Sequence, residues 1–284
     1  KDHGLWDTSR GALKQINTNN SQAENNTANS LTSFDSGGFT LGSDGGPNAA
    51  DDAHVAWVWK ANAGTTSSNS SGSITSTVQA NTTAGFSIIL YTGTGSNATI
   101  GHGLGVAPQM VIVKNRDSAE NWMVGHHKNS NGFQSSVFLN LTAAKDTDSV
   151  YFNNTAPTST LVSIGTNTKI NHASEKHVMY AFAPIKGYSR FGIYRGNGSA
   201  DGTFVFTGFK PSFLMFKALS GSENWGIFDN KRNTQSPVGN PRDLYVTAST
   251  NNANSSESDS VDFLSNGFKW RIDSGFRNGN GVDF

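Results

Sequence analysis

One sequence occurs twice in this chain. Residues 91–122 read YTGTGSNATIGHGLGVAPQMVIVKNRDSAENW, and residues 194–225 read YRGNGSADGTFVFTGFKPSFLMFKALSGSENW. Identical residues recur in the two copies at a constant offset of 103 residues (194 minus 91) and without a gap; in the first copy they include Tyr91, Gly93, Gly95, Pro108, Lys114, Glu120, Asn121 and Trp122. Self-similarity at a fixed period is the signature of a repeat architecture. The sequence therefore predicts tandem modules of about 100 residues each.

Two further registers extend the repeat toward both ends of the chain. The string HVAWVWKA (residues 54–61) aligns with HVMYAFAP (residues 177–184) at an offset of 123 (177 minus 54), and both copies are predicted to form the same strand. A third register, at an offset of 222 (229 minus 7), places Asp7 opposite Asp229. The chain is therefore predicted to contain parts of successive copies of one unit.

Composition and short apolar runs indicate an all-β fold. Charged residues make up 15% of the chain, against about 25% in a typical globular protein. Asn, Ser and Gly suit tight turns, whereas aromatic and β-branched side chains suit a pleated, half-buried surface. Within one repeat the runs bounded by turn residues are Phe86–Tyr91, Gln109–Lys114, Trp122–Val124, Val137–Leu141, Leu161–Ile164 and His177–Phe182. Such spacing predicts tandem antiparallel β-sandwich modules of jelly-roll or concanavalin-like type.

The registers divide the chain into four parts. Residues 1–60 are predicted to be a partial N-terminal β module, and residues 61–84 a Gly/Ser-rich linker with a leading strand. Residues 85–187 are predicted to be a complete β-sandwich module, and residues 188–284 a second β-sandwich module that lacks its last strand. On this interpretation, structure from outside these residues completes both ends.

Bulk properties argue against two classes of partner. The 21 basic residues balance the 21 acidic ones and form no basic run, so nucleic-acid binding is not expected. No stretch approaches the roughly eighteen apolar residues of a membrane-spanning helix, so membrane insertion is not expected either. The absence of cysteine excludes disulfides and thiolate metal ligands but leaves the cellular compartment open.

Acidic residues are the first catalytic candidates, because polysaccharide-cleaving enzymes usually need two carboxylates. Seven of them lie in polar stretches and are interpreted as solvated loop carboxylates: Asp44, Asp51, Asp52, Asp146, Asp148, Glu257 and Asp259. The repeat pairs Asp7 with Arg10 and Asp229 with Arg232, whereas the middle module has His126 at this position. A structural ion pair that closes a turn explains this pattern better than catalysis.

The histidines show no metal-binding pattern. His126 and His127 are adjacent, so on a strand they would point to opposite faces and could not hold one metal. His54 and His177 share one repeat position at the start of a predicted strand, which is typical of a structural histidine. No metal or cofactor is therefore predicted.

The repeated tryptophans and glycines also favour structural roles. Trp122 and Trp225 share a repeat position on a predicted strand and are expected in the core. Trp57 and Trp59 lie on one face of a predicted strand, so both are expected to pack in the core. The GTG sequence at residues 93–95 lacks the following helix and lysine of a phosphate loop, so a hairpin or bulge turn is predicted. No catalytic, cofactor-binding or metal-binding residue is predicted, and a ligand-binding site is left open.

Long motifs of the chain resemble a family of uncharacterised virion proteins of marine and freshwater tailed phages. The motifs are residues 72–116 (GSITSTVQANTTAGFSIILYTGTGSNATIGHGLGVAPQMVIVKNR), 156–165 (APTSTLVSIG), 187–217 (GYSRFGIYRGNGSADGTFVFTGFKPSFLMFK), 223–233 (ENWGIFDNKRN) and 262–271 (DFLSNGFKWR). Members of that family are usually described as phage structural or tail proteins. The resemblance implies a location in a virus particle and supplies no catalytic residues. It also implies that an aromatic-rich strand follows GVDF at residues 281–284.

Three functions follow as hypotheses from the repeat and the resemblance. The leading one is a non-enzymatic structural component of a phage virion, a tail fibre, spike or capsid decoration subunit at the particle surface that serves assembly and host-surface attachment. A carbohydrate-binding, lectin-like adhesin that recognises a host-surface glycan is the alternative, and a polysaccharide depolymerase is a further one. Because incomplete modules leave strand edges unpaired, a homo-oligomer, trimer or filament, is expected together with contacts to other virion proteins.

Overall fold

A computed structural model of the chain describes residues 1–129, 132–232 and 239–284. Antiparallel strands form nearly all of the regular structure in these residues, and the two helices among them are single turns of four residues. The predicted all-β fold with several antiparallel sheets is confirmed.

The strands are β1 (Gly4–Asp7), β2 (Gly11–Asn17), β3 (Asn25–Asn26), β4 (Leu31–Asp35), β5 (Gly38–Leu41), β6 (Ser67–Asn69), β7 (Ser76–Asn81), β8 (Phe86–Thr92), β9 (Ala98–Gly101), β10 (Met110–Asn115), β11 (Met123–His126), β12 (Ser136–Phe138), β13 (Leu161–Ile164), β14 (Lys176–Phe182), β15 (Phe204–Phe206), β16 (Phe213–Lys217), β17 (Trp225–Asp229), β18 (Arg242–Thr247), β19 (Ser255–Leu264) and β20 (Gly267–Trp270). The helices are α1 (Thr168–Asn171) and α2 (Gly275–Asn278).

The chain forms two compact units. The first consists of Lys1–Ser136 and Thr147–Ala183, and the second of Val137–Asp146 and Pro184–Phe284. The predicted N-terminal part, residues 1–60, thus shares a unit with most of the predicted module 85–187. The assignment of residues 137–146 to the second unit has no counterpart in the sequence prediction.

Six neighbouring strands of one sheet dominate the first unit, in the order β11-β10-β14-β8-β7-β6. Its central strands have continuous apolar runs, which is the pattern of strands covered on both faces. β14 pairs antiparallel with β8 and β10, so that His177 lies opposite both Tyr91 and Asn115. Val178, Met179 and Ala181 of this strand are fully buried. The unit also contains the sheet β1-β2-β3 and the pairs β4-β5 and β9-β13.

The second unit is built on a six-stranded sheet in the order β15-β20-β19-β18-β17-β16. Its core is aromatic and contains Phe228, Phe263, Phe268 and Trp270. The indole of Trp270 meets the ring of Phe268 edge-on, with ring centroids 5.8 Å apart. Alternating inward side chains on neighbouring strands supply these rings, as in other half-buried antiparallel sheets.

Two local predictions differ from the structure. Residues 54–61 were predicted to form a strand, but this segment contains none. The segment predicted as a linker with a leading strand, residues 61–84, contains β6, which pairs antiparallel with β7. The strand predicted at Val137–Leu141 is observed only at Ser136–Phe138. The first error has a physical cause, since a strand pattern forms a strand only where a neighbour satisfies its main-chain groups.

Candidate functional site

Each compact unit contains a hydrogen-bonded junction between successive repeats. In the first unit the indole nitrogen of Trp122 donates to the main-chain carbonyl of Asn17 over 2.9 Å. In the second unit the indole nitrogen of Trp225 donates to the carbonyl of Phe138 over 2.8 Å. The donors are 103 residues apart (225 minus 122) and the acceptors 121 (138 minus 17). The same contact is therefore built twice, each time between a repeat and the segment before it.

Main-chain hydrogen bonds extend both junctions. The amide of Glu24 donates to the carbonyl of Arg116 over 2.8 Å, and the amide of Lys145 donates to the carbonyl of Leu219 over 3.2 Å. The acceptors are again 103 residues apart (219 minus 116) and the donors 121 (145 minus 24). Residues 17–24 and 138–145, here called the junction segments, thus make matching hydrogen bonds to the repeat that follows each of them.

A buried ion network reinforces the junction in the first unit. The Arg10 side chain is fully buried; its Nε lies 2.5 Å from Asp7 Oδ2 and its Nη1 lies 3.1 Å from Glu24 Oε2. Arg116 binds the same Glu24 carboxylate in a bidentate manner, with N–O distances of 2.8 and 2.9 Å. The Tyr180 hydroxyl donates to Asp7 Oδ2 over 2.7 Å. The network therefore ties the N-terminal strands to β14 and to the end of β10.

The environment of this network favours the charged forms. Burial raises the pKa of Glu24, but the hydrogen bonds and charges of Arg116 and Arg10 outweigh burial and lower the pKa below its ordinary value of 4.5. Burial would lower the pKa of Arg10, yet its neighbours, including the carboxylates of Asp7 and Glu24, raise it. A charge buried among opposite charges stabilises a fold only while its partners remain.

The ion pair of the second unit confirms the turn-closing role predicted for both pairs. Arg232 Nε lies 2.6 Å from Asp229 Oδ2. Asp229 Oδ1 also accepts hydrogen bonds from the main-chain amides of Lys231 and Arg232, at 2.9 and 3.0 Å. In the first unit, Asp7 Oδ1 accepts from the amide of Arg10 over 2.8 Å. In both units the carboxylate therefore closes the turn after its strand.

A buried lysine is a second repeated feature. Lys114 Nζ donates to the carbonyl of Asn115 over 2.6 Å, and Lys217 Nζ donates to the carbonyls of Ala218 and Thr142 over 2.9 and 3.2 Å. Both lysines are buried, at 0% and 4% exposure. Burial lowers the pKa of each amine from 10.5 to about 8. The repeat marks both lysines as identical, but their burial is not predictable, since lysine is almost always exposed.

Buried asparagines form hydrogen bonds to two glycine loops, residues 93–95 and their repeat counterpart, residues 196–198. The Asn171 side chain accepts a hydrogen bond from the amide of Thr94 over 2.7 Å, and Asn278 accepts from the amide of Asn197 over 3.1 Å. Gly95 has a φ of +73°, a conformation that favours glycine. The loop joins β8 to β9, which lie in different sheets, so it is not the predicted hairpin. Asn171 and Asn278, which form these hydrogen bonds, are the last residues of one-turn helices. No sequence motif predicted their role.

The other candidate carboxylates are dispersed. Asp52 pairs with Lys1 over 2.5 Å. Glu257 and Asp259 lie in β19, so their assignment to a loop was wrong. Glu257 pairs with the buried Arg277 over 2.7 Å, whereas the side chain of Asp259 lies outside the described residues. In the part of the chain that the structure describes, no group of three or more His, Cys, Asp or Glu side chains could hold a metal ion.

The two repeat-related histidines have different environments. His177 is fully buried, its Nδ1 lies 3.0 Å from the carbonyl of Glu175, and its ring stacks on Tyr91 with centroids 5.1 Å apart. The structural role predicted for His177 is thus confirmed. His54 is exposed, so the same prediction was wrong for that residue.

The repeated tryptophans Trp122 and Trp225 are buried, whereas Trp59 is exposed. Trp122 and Trp225 are buried in the core, as predicted. Trp59 is 43% exposed, and Val58 beside it is 75% exposed. The prediction that Trp57 and Trp59 pack together in a core was therefore wrong. An apolar, aromatic segment that includes Val58 and Trp59 therefore lies at the surface.

One open surface depression in the described residues has a volume of about 360 Å³. It is lined by polar side chains, namely Gln134, Thr147, Asp148, Ser149 and Asn154. None of the described helices is long and apolar enough to cross a membrane.

Comparison with known proteins places the chain in a family without assigning an activity. The chain belongs to the family described as Domain of unknown function (DUF7483), whose model matches residues 1–284. No curated protein and no solved structure matches it.

Proposed function

We propose that this DUF7483 chain is a non-enzymatic structural component of a phage virion, a tail fibre, spike or capsid decoration subunit that serves assembly and host-surface attachment. The observation that carries the structural part of the proposal is the junction built twice, by Trp122 with Asn17 and by Trp225 with Phe138. The virion location rests on the resemblance of the long motifs to tailed-phage proteins.

The junctions suit a protein whose repeats have to remain intact. In tandem repeats, stability is approximately the sum of the stabilities of the repeats and of the interfaces between neighbours. Here each junction segment is hydrogen-bonded to the repeat that follows it through a buried indole and a main-chain amide. Detaching a junction segment from that repeat would therefore break buried hydrogen bonds and expose a tryptophan. Such a series of modules can act as a spacer between a particle and its target.

Electron microscopy of virions tests the proposed location. Particles would be incubated with gold-labelled antibody against the 284-residue chain, with antibody depleted on the same protein as the control. We expect gold at one defined position on the particle, on a fibre, a spike or the capsid surface. Antibody that binds soluble protein of the infected lysate but never the purified particle would contradict the proposal.

Host attachment has a second candidate form, glycan recognition. The polar depression lined by Gln134, Asp148 and Asn154 offers amide and carboxylate groups of the kind that bind sugar hydroxyls. A glycan array with the full chain would test this, with an Asn154→Ala variant as the matched protein. Specific hits that weaken in the variant would support adhesion, and signals at background would leave only the spacer role. Release of reducing ends from host polysaccharide would instead indicate a depolymerase.

A further inference from the structure

One face of the large sheet in the first unit has a depression with a volume of about 270 Å³. The register pairs Thr77 with Leu90 and Thr92 with Lys176, and directly opposite residues of paired strands point to the same face of a sheet. The depression therefore lies on one face of β7, β8 and β14. Its lining includes Thr75, Thr77, Leu90, Thr92, Arg116 and Lys176.

The alternation of the strands turns the threonines of this face away from the core. Thr77 is exposed, whereas Ser76 and Val78 on either side of it are buried. Thr92 is exposed, whereas Tyr91 before it is buried. In a strand that is covered on one face, alternate side chains point to solvent. The threonine hydroxyls are therefore accessible from the depression.

The hydrogen-bonding groups of the depression have no partners among the described residues. This holds for the three threonine hydroxyls and for the ammonium group of Lys176. Glu24 binds Nε and Nη2 of Arg116 over 2.9 and 2.8 Å, whereas Nη1 forms no hydrogen bond in the described part of the chain. The Arg116 side chain is 13% exposed, so the bidentate pair holds a mostly buried guanidinium in one orientation. Nη1 remains able to bind a further acceptor.

The described residues that line the depression carry two positive charges, those of Arg116 and Lys176, and no negative charge. Two carboxylates lie close to these cations, but neither is in the lining. Glu24 is bound by Arg116 and Arg10, and the Asp117 carboxylate accepts a hydrogen bond from the main-chain amide of Lys176 over 2.8 Å. An anionic group in the depression would therefore meet two cations and no lining carboxylate.

The repeat does not require these side chains. At the offset of 103, the counterpart of Arg116 is Leu219 and the counterpart of Thr92 is Arg195. The carbonyls of Arg116 and Leu219 both accept a main-chain hydrogen bond from the preceding junction segment, so the junction forms with either side chain. The combination of hydroxyls and cations is therefore a property of the first unit that the repeated fold does not explain.

We propose that this depression binds an acidic saccharide, a sugar ring whose carboxylate or sulfate group pairs with Lys176 and with Nη1 of Arg116. Hydrogen bonds from ammonium and guanidinium groups to an anion are stronger than neutral ones. Each threonine hydroxyl can both donate and accept, which matches the hydroxyls of a sugar. The half-buried Leu90 supplies an apolar surface for the face of the ring.

The size and the hydroxyls of the depression favour one sugar ring over other anions. Its volume lies just below the range of about 300–1,000 Å³ that is typical of sites for drug-sized ligands, so it suits a single ring of a longer glycan. A free inorganic anion such as sulfate only accepts hydrogen bonds. It would use the cations but leave the acceptor capacity of the hydroxyls unused.

The site rests on the host-attachment part of the proposed function and gives that part a ligand class. The two remain separable, because saccharide binding by the purified chain and gold labelling of particles are independent measurements. Saccharide binding without any labelled particle would refute the virion location alone. A labelled particle whose purified subunit binds no acidic saccharide would refute the site alone.

NMR titration of the purified 284-residue chain tests the ligand class. The probes are glucuronate and glucose 6-sulfate, with glucose as the matched neutral sugar and inorganic sulfate as the matched free anion. We expect the acidic sugars to shift the amide signals of Thr92 and Lys176 and to bind at least about tenfold more tightly than glucose, as one charge-assisted hydrogen bond would provide. Added salt should weaken this binding.

Equal affinities for acidic and neutral sugars, or no shift with either acidic sugar, would overturn the proposal. Inorganic sulfate that binds as tightly as the acidic sugars would also overturn it, because the site would then be one for simple anions.

Substitutions at exposed positions test the residues without disturbing the Arg116–Glu24 pair. K176M should weaken binding of the acidic sugars at least about tenfold, whereas K176R should retain most of it. K186M is the matched control, since Lys186 is exposed and lies outside the depression. T92W should prevent binding by filling the space without a change of charge. Equal affinities of K176M and K186M, or undiminished binding by T92W, would show that the saccharide does not bind here.

Discussion

The indole nitrogen of Trp122 donates a 2.9 Å hydrogen bond to the carbonyl oxygen of Asn17, which lies 105 residues earlier in the chain. Trp225 and Phe138 form the same bond in the second unit. A contact that recurs with the same atoms at long sequence separation belongs to the repeat and is not an accident of one loop. It explains why residues 137–146 join the unit that follows them.

Replacing Trp122 by Phe should lower the free energy of unfolding by about 1–3 kcal/mol, because Phe keeps much of the apolar volume but leaves the Asn17 carbonyl without its donor. Urea denaturation would measure the loss. W6F is a suitable control, since the buried indole nitrogen of Trp6 has no hydrogen-bond partner among the described residues. A loss no larger for Trp122→Phe than for this control would mean that the junction hydrogen bond contributes nothing to stability.

Arg10→Met should cost about 3–5 kcal/mol of unfolding free energy, because it leaves the buried carboxylates of Asp7 and Glu24 without a shared cation. Arg232→Met removes a cation that binds one carboxylate, Asp229, and the Asn254 side chain, at a site where the arginine side chain is 12% exposed, so it should cost less. Guanidinium chloride unfolding of both variants would test the order. Equal losses would contradict a special role for the ion network around Arg10.

Acid should weaken the first unit through Glu24. Its folded-state pKa lies below the ordinary 4.5 because the effects of Arg116 and Arg10 exceed that of burial. The unfolded chain then binds the proton first, so the stabilisation is present above about pH 4.5 and is lost as the pH falls through the folded pKa. Comparing wild type with E24Q at falling pH should show a difference in unfolding free energy that shrinks in acid. A constant difference would contradict this linkage.

The central sheet of the first unit could be predicted, but its junction could not. Residues 86–91 and 177–182 have apolar runs long enough to indicate strands buried on both faces, and both form. Residues 54–61 have an equally clear pattern but form no strand. An apolar pattern shows that a segment can be buried as a strand, but it does not show whether neighbouring strands are there to pair with it. The junctions use main-chain carbonyls as acceptors, and every residue has one, so no side-chain motif could reveal them.

The buried lysines should make the protein more stable as the pH rises from about 8 toward 10. Lys114 and Lys217 have folded pKa values of about 8, against an ordinary 10.5, because burial disfavours the charged amine. In this range the unfolded chain holds protons that the folded chain has released, so the unfolding free energy rises by at most about 1.4 kcal/mol per pH unit for each lysine.

Buried tyrosines set the upper limit of this window. Burial raises the pKa of Tyr91 and of Tyr194 above the ordinary 10, so above about pH 10 the unfolded chain loses these protons first and stability falls. Urea denaturation at about pH 8, 9 and 10 would follow both effects. K114M and K217M should each reduce the rise below pH 10, with K186M as a control for removing one exposed charge. If neither buried-lysine variant changes the slope, the amines stay charged in the fold, and the carbonyls around them provide more stabilisation than their burial removes.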